Sequence, residues 1–365
     1  LIFDISDPAD PQVLGRYHTQ GFADEIKVDG IRAYLADDFD GLTILDVSDP
    51  SNPTKLGGYK ADGSQFSIEI VGTTLYVATD YRELLILNVA NPASPVLLGS
   101  YNAPGKATDV EINGTTAYVS LEHGEVMALN IANPAAPTLL GSLALPGRTR
   151  DIDFVGFTMF AAAEGRGLQV IDLADPANLQ LLGTYETPGD SYAIRVIDNL
   201  AYVADGGRGL RIGDVSNPTA PESLGTFDTP GTAFDVQVVG SLAYVADGSS
   251  GLQVIDVTNP LSPTLRGTLN TDGIAQSVVV VGNRAYVADE DRGLRIVDVS
   301  NPASPSLLGT FLTSDGAYDV RVVGNRAYVA AGGPGGGLQV IDISNPASPK
   351  SLGNYEISFV RSVEV

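Results

Sequence analysis

The chain has 365 residues, and its 44 acidic residues outnumber its 21 basic residues, which gives a formal net charge of −23. This acidity argues against a nucleic-acid-binding protein, because phosphate requires a basic surface, and against direct docking on anionic lipid. The absence of cysteine excludes disulfides, thiol nucleophiles and cysteine metal sites. No apolar run approaches the roughly 18–20 residues of a membrane span, so we expect no direct insertion into a membrane.

One short pattern recurs through the whole chain. In its clearest form it runs from Gly251 to Pro260 and reads as one strand that ends in a turn. The fifth residue of its Leu-x-Val/Ile-x-Asp core is acidic or asparagine at Asp4, Asp46, Asn88, Asn130, Asp172, Asp214, Asp256, Asp298 and Asp342. These positions are 42 residues apart seven times, and then 44. A period of this length with four short strands per unit predicts a β-propeller.

In chain order, the repeats supply strands that we label a, b, c and d. Residues 1–21 hold only a c strand (Leu1–Ser6) and a d strand (Val13–Thr19), residues 22–356 hold eight full repeats, and residues 357–365 hold one closing a strand (Phe359–Val365). The repeat at Ala233–Thr271 has strand a at Ala233–Val239, strand b at Ala243–Ala246, a glycine-rich loop at Asp247–Gly251, strand c at Leu252–Val257 and strand d at Thr264–Leu269. Glycine and asparagine between strands a and b favour tight hairpins, and the prolines after strand c stop it because proline lacks a donor for a ladder.

The terminal strands decide the predicted number of blades. Leftover strands would expose apolar edges, which proteins avoid. Joining the last a strand to the first c and d strands makes a composite ninth blade that lacks only strand b. We therefore expect an all-β fold over residues 1–365, as a single domain. It is a closed β-propeller of four-stranded antiparallel blades, with nine blades favoured and eight as the alternative.

An aromatic residue marks one position of strand b in eight repeats: Tyr34, Tyr76, Tyr118, Phe160, Tyr202, Tyr244, Tyr286 and Tyr328. We expect these rings to pack between neighbouring blades, because an aromatic ring contributes a large buried area. A circle of tyrosines that stack on a ligand is the alternative.

The repeat core also resembles a known family. Leu252 to Asp256, Leu294 to Asp298 and Leu338 to Asp342 look like the LVIVD repeat of bacterial and archaeal surface and secreted proteins. The resemblance covers essentially the whole chain, since the Ala-Tyr-Val-Ala-Asp and Asn-Pro-x-x-Pro phases recur as well. It implies a β-propeller in an extracellular or cell-envelope setting, and it carries no catalytic motif.

The loops between strands b and c are the most polar variable segments. Their carboxylates and glycines could supply oxygen ligands for Ca²⁺, and the candidate ligands are Asp37, Asp38, Asp40, Asp289 and Asp291. Their spacing matches no EF-hand loop. The alternative is that each aspartate caps a turn with its own side chain. We expect no cofactor to be required, with Ca²⁺ as the one candidate ion.

Two further sets of acidic residues recur at a fixed phase. The motif acid precedes a turn, and we expect it to bind nearby backbone amides, with a series of metal sites as the alternative. On strand a, Glu25, Asp109, Asp151, Asp235 and Asp319 share one position. They could form an acidic collar around the axis, or hydrogen-bond to the next blade.

Two functional hypotheses from different classes remain. The first is a non-enzymatic extracellular scaffold that binds a protein or glycan partner, or other copies of itself through the incomplete blade. The second is a carbohydrate- or ester-active hydrolase or lyase that uses loop carboxylates on one face, an idea that rests on analogy between folds. The two histidines, His18 and His123, lie in different repeats and give no recognisable catalytic set. We therefore expect a scaffold and no enzyme.

Overall fold

The computed structural model describes residues 2–4, 12–15, 23–37, 41–49, 52–60, 65–79, 81, 83–332 and 337–356. These residues are all-β: they form 34 strands, and they include no helix that could span a membrane. Two short strands, β1 (Ile2–Asp4) and β2 (Gln12–Gly15), pair with each other and precede eight four-stranded sheets, which we call blades 1–8.

The blades follow one another along the chain. Blade 1 contains β3 (Ala23–Asp29), β4 (Arg32–Asp37), β5 (Gly41–Asp46) and β6 (Thr54–Tyr59), and blade 2 contains β7 (Gln65–Val71), β8 (Thr74–Thr79), β9 (Glu83–Asn88) and β10 (Val96–Asn102). Blade 3 contains β11 (Ala107–Asn113), β12 (Thr116–Leu121), β13 (Glu125–Asn130) and β14 (Thr138–Ala144), and blade 4 contains β15 (Thr149–Val155), β16 (Thr158–Ala163), β17 (Gly167–Asp172) and β18 (Gln180–Tyr185). Blade 5 contains β19 (Ala193–Ile197), β20 (Leu200–Ala204), β21 (Leu210–Asp214) and β22 (Glu222–Phe227), and blade 6 contains β23 (Asp235–Val239), β24 (Leu242–Ala246), β25 (Leu252–Asp256) and β26 (Thr264–Leu269). Blade 7 contains β27 (Ser277–Val281), β28 (Arg284–Ala288), β29 (Leu294–Asp298) and β30 (Ser306–Phe311), and blade 8 contains β31 (Gly316–Val323), β32 (Arg326–Gly332), β33 (Gly337–Asp342) and β34 (Lys350–Glu356).

Each blade is a meander in which strands a to d pair antiparallel in chain order, as predicted. The predicted bounds of strand d in blade 6 coincide with β26. Strand a begins two residues later than predicted, because Ala233 instead forms a bridge with Gly206 of the preceding blade. The predicted closing strand Phe359–Val365 lies outside the described residues, so the composite ninth blade stays a prediction.

The chain divides into two compact units. One contains blades 1–3 together with the connection Leu173–Gln180, and the other contains the remainder of blades 4–8. Within each unit, the a strands of successive blades contact one another, as β23 and β27 do. In blades 6, 7 and 8, the start of strand a also forms a bridge with the b–c loop of the preceding blade: Ala233 with Gly206, Ala275 with Gly248, and Ala317 with Glu290.

The hydrophobic core lies between successive blades. In one cluster, Tyr244 and Val254 of blade 6 pack with Val278 and Val287 of blade 7. Equivalent clusters contain Tyr34, Tyr76, Phe160, Tyr202 and Tyr286. The prediction that the strand-b rings pack between neighbouring blades is therefore confirmed for these six rings, and it stays a prediction for Tyr118 and Tyr328. Packing between successive blades of one unit explains why strands b and c are apolar almost throughout in these blades.

A glycine in strand d lets successive blades approach closely. At Gly267, an added Cβ would meet the carbonyl oxygen of Pro302 and would lie 2.8 Å from Cδ of Pro305, both in the Asn-Pro turn of the next blade. The same approach recurs at Gly57, Gly99, Gly141, Gly183, Gly225 and Gly309. In blades 1, 2, 3, 5, 6 and 7 this glycine also lies beside a β-bulge that offsets strand d from strand c, as between Val254 and Ile255.

The motif acid closes the turn after strand c. In blade 7, Oδ1 of Asp298 accepts a 2.8 Å hydrogen bond from the backbone N–H of Ser300. Hydrogen bonds from Ser300 hold the pKa of Asp298 below its usual value. Asn130 accepts the same bond from Ala132 at 2.9 Å. The predicted role is confirmed, and it explains why asparagine can replace the acid in two repeats.

Candidate binding surface

A buried aspartate opens the b–c loop in blades 5, 6 and 7. The three residues, Asp205, Asp247 and Asp289, are fully buried. Each accepts a hydrogen bond from the hydroxyl of a threonine 18 residues earlier, in the connection that leads from strand d of the preceding blade: Thr187 at 2.5 Å, Thr229, and Thr271 at 2.6 Å. We call these pairs the Asp–Thr clasps. They differ from the predicted turn caps, because each carboxylate binds a separate segment of the chain.

Among the three clasps, the one in blade 7 has the carboxylate with the most strongly shifted pKa. Burial raises the pKa of Asp289 to about 6, although the Thr271 hydroxyl and the Arg295 guanidinium both favour the charged form. Nε of Arg295 lies 3.2 Å from Oδ2 of Asp289. Burial also raises the pKa of Asp247, against the opposing effect of its hydrogen bond from Thr229. Each of these carboxylates therefore joins two loops, although its burial disfavours its charged form.

The five predicted calcium ligands lie in different surroundings. Asp37 ends β4, and Asp38 and Asp40 lie outside the described residues. Asp289 is the buried clasp residue, whereas Asp291 lines an open groove of about 460 Å³ beside Arg292. Among the residues whose side chains are described, no three carboxylate or imidazole groups come together to hold a metal ion. The calcium hypothesis stays a prediction.

Two of the strand-a acids, Asp151 and Asp235, bind the next blade, whereas Asp319 accepts a 2.9 Å hydrogen bond from the hydroxyl of Ser277 in the preceding blade. Oδ2 of Asp151 accepts hydrogen bonds from the N–H of Ile194, at 2.9 Å, and from Arg195, at 2.8 Å. Oδ2 of Asp235 accepts one from the N–H of Val278 at 3.0 Å. Burial raises the pKa of Asp151, and Arg195 partly offsets this rise. Hydrogen bonding between blades, the structural alternative to an acidic collar, is thus confirmed at these positions, whereas the side chains of Glu25 and Asp109 are not among those described.

One aromatic residue stands at the start of strand a in each of blades 5, 6 and 8. We call Tyr192, Phe234 and Tyr318, together with Arg150, the aromatic rim. The rings of Tyr192 and Phe234 meet edge to face with centroids 5.1 Å apart, and the guanidinium carbon of Arg150 lies 5.6 Å from the centroid of Tyr192. All three rings are partly exposed. A surface of this kind offers large apolar faces and polar tips to a ligand.

Glycines in two b–c loops let two of these rings lie directly against the loop backbone. A Cβ added to Gly206 would lie 3.2 Å from Cε2 of Tyr192, and one added to Gly248 would lie 3.4 Å from Cε2 of Phe234. The rings therefore lie against loop backbone that the Asp–Thr clasps and the bridge between Gly206 and Ala233 already fix. The rim was missed in the sequence, although its members share one phase of the 42-residue repeat.

Comparison with models of sequence families identifies the family of this chain. The LVIVD repeat matches residues 1–19, 20–61, 62–103, 104–144, 146–187, 188–229, 230–271, 272–313 and 316–357. This chain belongs to the LVIVD-repeat family. A comparison with curated proteins finds no match to this LVIVD-repeat chain.

Solved structures resemble this LVIVD-repeat protein in fold. The computationally designed Ika8 protein is 12% identical, with a TM-score of 0.64 over 82% of this chain and 90% of its own. BamB from Moraxella catarrhalis is 14% identical, with a TM-score of 0.58 over 84% and 90%. Sqt1 from Chaetomium thermophilum, bound to the N-terminus of the ribosomal protein L10, is 12% identical, with a TM-score of 0.61 over 82% and 91%. At these identities the likeness establishes the β-propeller fold alone.

Proposed function

We propose that this chain is a non-enzymatic binding scaffold of the cell surface or the extracellular space, and that its aromatic rim contacts a protein partner. The observation that carries the proposal is the partial exposure of Tyr192, Phe234 and Tyr318 on a fixed framework. Tyrosine and arginine are enriched among the residues that dominate binding energy at protein interfaces. Because the rings already rest on loop backbone, little side-chain freedom is lost when a partner binds.

The polar groups around the rim support binding over catalysis. Asp289, Asp151 and Asp235 already accept structural hydrogen bonds. A hydrolase would need a nucleophile and a base within hydrogen-bonding reach of each other.

Three further features support the proposal, the first for a protein partner and the other two for a place outside the cell. Sqt1, which shares the fold, was crystallised with the N-terminus of a ribosomal protein. The strongly acidic composition suits a soluble exported protein, and the motif's resemblance to surface and secreted proteins points in the same direction.

The test begins with a random displayed peptide library selected against the purified chain. The affinity of the enriched peptides is then measured by fluorescence anisotropy for the wild type, Tyr192→Ala and Tyr81→Ala. Tyr81 is a matched control, because it is a loop tyrosine of blade 2 that is 65% exposed. We expect Tyr192→Ala to weaken binding by about tenfold or more, as a residue worth about 2 kcal/mol would, and Tyr81→Ala to leave it unchanged.

Three results would overturn the proposal. One is the absence of any enriched peptide, and another is an equal effect of the two substitutions. The third is binding of a glycan panel with the same dependence on Tyr192, which would replace the protein partner with a carbohydrate.

A further inference from the structure

The last residue of strand a is apolar and exposed in five successive blades. These residues, which we call the apolar row, are Val155, Ile197, Val239, Val281 and Val323, and each is between 41% and 50% exposed. The a strands that they end contact one another in succession from blade 4 to blade 8. The row is therefore one surface rather than a set of apolar residues scattered singly over the chain.

The fold does not require an apolar residue at this position. Strand a ends at Asp29 in blade 1 and at Asn113 in blade 3, and both strands lead into the same two-residue turn to strand b. The turn therefore does not explain the aliphatic residues of blades 4 to 8. A contiguous apolar surface with a polar border marks an interaction site.

Strand b widens the apolar row in blades 5 and 6. Ile197 pairs with Leu200, and Val239 pairs with Leu242, across the a–b hairpin. Residues that pair directly across two strands lie on the same side of the sheet, and both leucines are partly exposed. The apolar surface is therefore two residues wide in these two blades.

Carboxylates border the widened part of the row. In blade 5, Leu200 pairs with Asp214, and Asp214 pairs in turn with Glu222. Neighbouring strands lie about 4.8 Å apart, so strand c with its acid is about 10 Å from strand a. Asp256 has the same place in blade 6, and Asp198 is an exposed residue of the a–b turn in blade 5. We call Asp198, Asp214, Glu222 and Asp256 the carboxylate border.

The border carries negative charge that the chain does not neutralise by ion pairing. Hydrogen bonds from Thr258, together with the charge of Arg266, hold the pKa of Asp256 below its usual value. Hydrogen bonds from Ser216 do the same for Asp214. Within the described part of the chain, no lysine or arginine forms an ion pair with any of the four acids.

The pairing of Asp214 with Glu222 points independently to a basic ligand. Like charges that lie directly opposite each other on two strands destabilise a sheet. The residue at the place of Glu222 is uncharged in the other blades on either side: Gln180 in blade 4, Thr264 in blade 6 and Ser306 in blade 7. Blade 5 thus keeps a pair of carboxylates that a bound cation would stabilise.

We propose that the apolar row and the carboxylate border form a second docking surface, which binds a segment of a protein partner with apolar side chains flanked by lysine or arginine. Protein interfaces have an apolar centre and a polar edge, and an acidic edge is complementary to a basic one. A second copy of the chain would present the same acidic edge, which disfavours the pairing of two identical surfaces.

This surface is separate from the aromatic rim. The rim lies at the starts of the a strands and the apolar row at their ends. In blade 6, Phe234 and Val239 are five residues apart, which is about 16 Å along a strand. The inference goes beyond the proposed function, because a chain with both surfaces holds two partners at opposite ends of its blades.

The test uses three blocked peptides of defined chemistry, titrated into the chain and followed by ligand-observed NMR. They are Lys-Leu-Phe-Leu-Lys, Glu-Leu-Phe-Leu-Glu and Lys-Ser-Ser-Ser-Lys. We expect the first peptide to bind saturably, with a dissociation constant of about 1 mM or less. The acidic peptide should bind at least about tenfold more weakly, and the serine peptide should not bind.

The repeats of the chain supply substitutions that its fold already contains. Ile197→Asn combined with Val239→Asn introduces the residue that ends strand a in blade 3, and it should weaken binding of Lys-Leu-Phe-Leu-Lys by about tenfold or more. Asp256→Asn introduces the asparagine that closes the same turn at Asn130. Combined with Glu222→Gln, it should weaken binding by about fivefold or more.

Matched controls lie at the other end of the blades. Leu312 is 68% exposed, and Glu186 is exposed; both are in connections from strand d to the next strand a. Leu312→Asn, Glu186→Gln and Tyr192→Ala should leave binding of Lys-Leu-Phe-Leu-Lys unchanged. Thermal unfolding followed by circular dichroism verifies that each variant is folded.

Five results would overturn the inference. The first three are equal binding of the acidic and basic peptides, equal binding of the serine peptide, and unchanged binding by Ile197→Asn with Val239→Asn. The fourth is a dimer in analytical ultracentrifugation that this double substitution abolishes, which would make a second copy the occupant. The fifth is binding to phosphatidylcholine vesicles with the same dependence, which would replace the protein partner with a lipid surface.

The two proposals fail separately. If Lys-Leu-Phe-Leu-Lys binds as expected but Tyr192→Ala leaves the affinity of the library peptides unchanged, the second docking surface stands and the rim proposal falls. If Tyr192→Ala weakens the library peptides but Lys-Leu-Phe-Leu-Lys does not bind, the rim proposal stands and the second docking surface falls.

Discussion

Replacing Gly267 with alanine tests how successive blades pack. The added methyl group would meet the backbone of the next blade, with the carbonyl carbon of Ala303 at 3.1 Å and Cδ of Pro305 at 2.8 Å. Neither the carbonyl oxygen of Pro302 nor the proline ring can move aside as a flexible side chain would. We therefore expect the two blades to separate slightly along this contact.

The magnitude follows from two opposing effects. Overpacking a tight site costs about 1–3 kcal/mol, and the rigid backbone places this site toward the upper value. Alanine also restricts the unfolded chain, which returns about 0.4–1 kcal/mol. The net expectation is a loss of about 2 kcal/mol in the free energy of unfolding.

Guanidinium-induced unfolding, followed by circular dichroism, measures the effect. Gly207→Ala is the matched control, because a Cβ at Gly207 has no atom within 4 Å, and it should be neutral or slightly stabilising. If Gly267→Ala were as stable as Gly207→Ala, the close approach between blades would not be a tight contact, and the explanation of the recurring strand-d glycine would be wrong.

Four further predictions concern single side chains. Asn130→Ala should lower the free energy of unfolding by about 1 kcal/mol because it removes the hydrogen bond to the Ala132 amide, while Asn130→Asp should leave it unchanged at pH 7; equal losses in chemical denaturation would contradict this. The folded chain holds the proton of Asp289 up to about pH 6, against an ordinary value of 3.8, so this residue makes stability fall as pH rises from about 4 to 6. Asp289→Asn should remove that contribution, so the difference in thermal midpoint between wild type and variant should change between these two pH values. A difference that stays constant would refute the prediction. Glu290→Gly should raise stability by about 1 kcal/mol, because it relieves the positive φ; a lower unfolding midpoint in guanidinium would count against it. The calcium hypothesis predicts that Ca²⁺ raises the thermal midpoint and that Asp291→Asn reduces the rise, whereas identical midpoints with Ca²⁺ and with EDTA would end it.

The sequence predicted the strands well because their signals are local. The alternation and the proline stops around strand d of blade 6 fix Thr264 and Leu269 as its ends, and these are the ends of β26. The Asp–Thr clasps could not be found in this way. Asp289 and Thr271 are 18 residues apart, and only the assembled blades bring the hydroxyl to the carboxylate.

The binding surface was only partly accessible from the sequence. The 42-residue phase places Tyr192, Phe234 and Tyr318 at equivalent positions, so a search for variable aromatic positions would have found them. Their exposure depends on the b–c loop glycines and on the bridge between Gly206 and Ala233.

Hydrogen exchange of the chain, with and without a library-selected peptide, tests most directly whether the aromatic rim is the binding surface. We expect protection in the b–c loops of blades 5 to 7 and at the starts of the a strands of blades 5, 6 and 8, around Tyr192, Phe234 and Tyr318. Protection confined to the a–b turns, such as Gly240-Ser241 and Gly282-Asn283, would place the partner elsewhere and would show that the aromatic rim is not the binding surface.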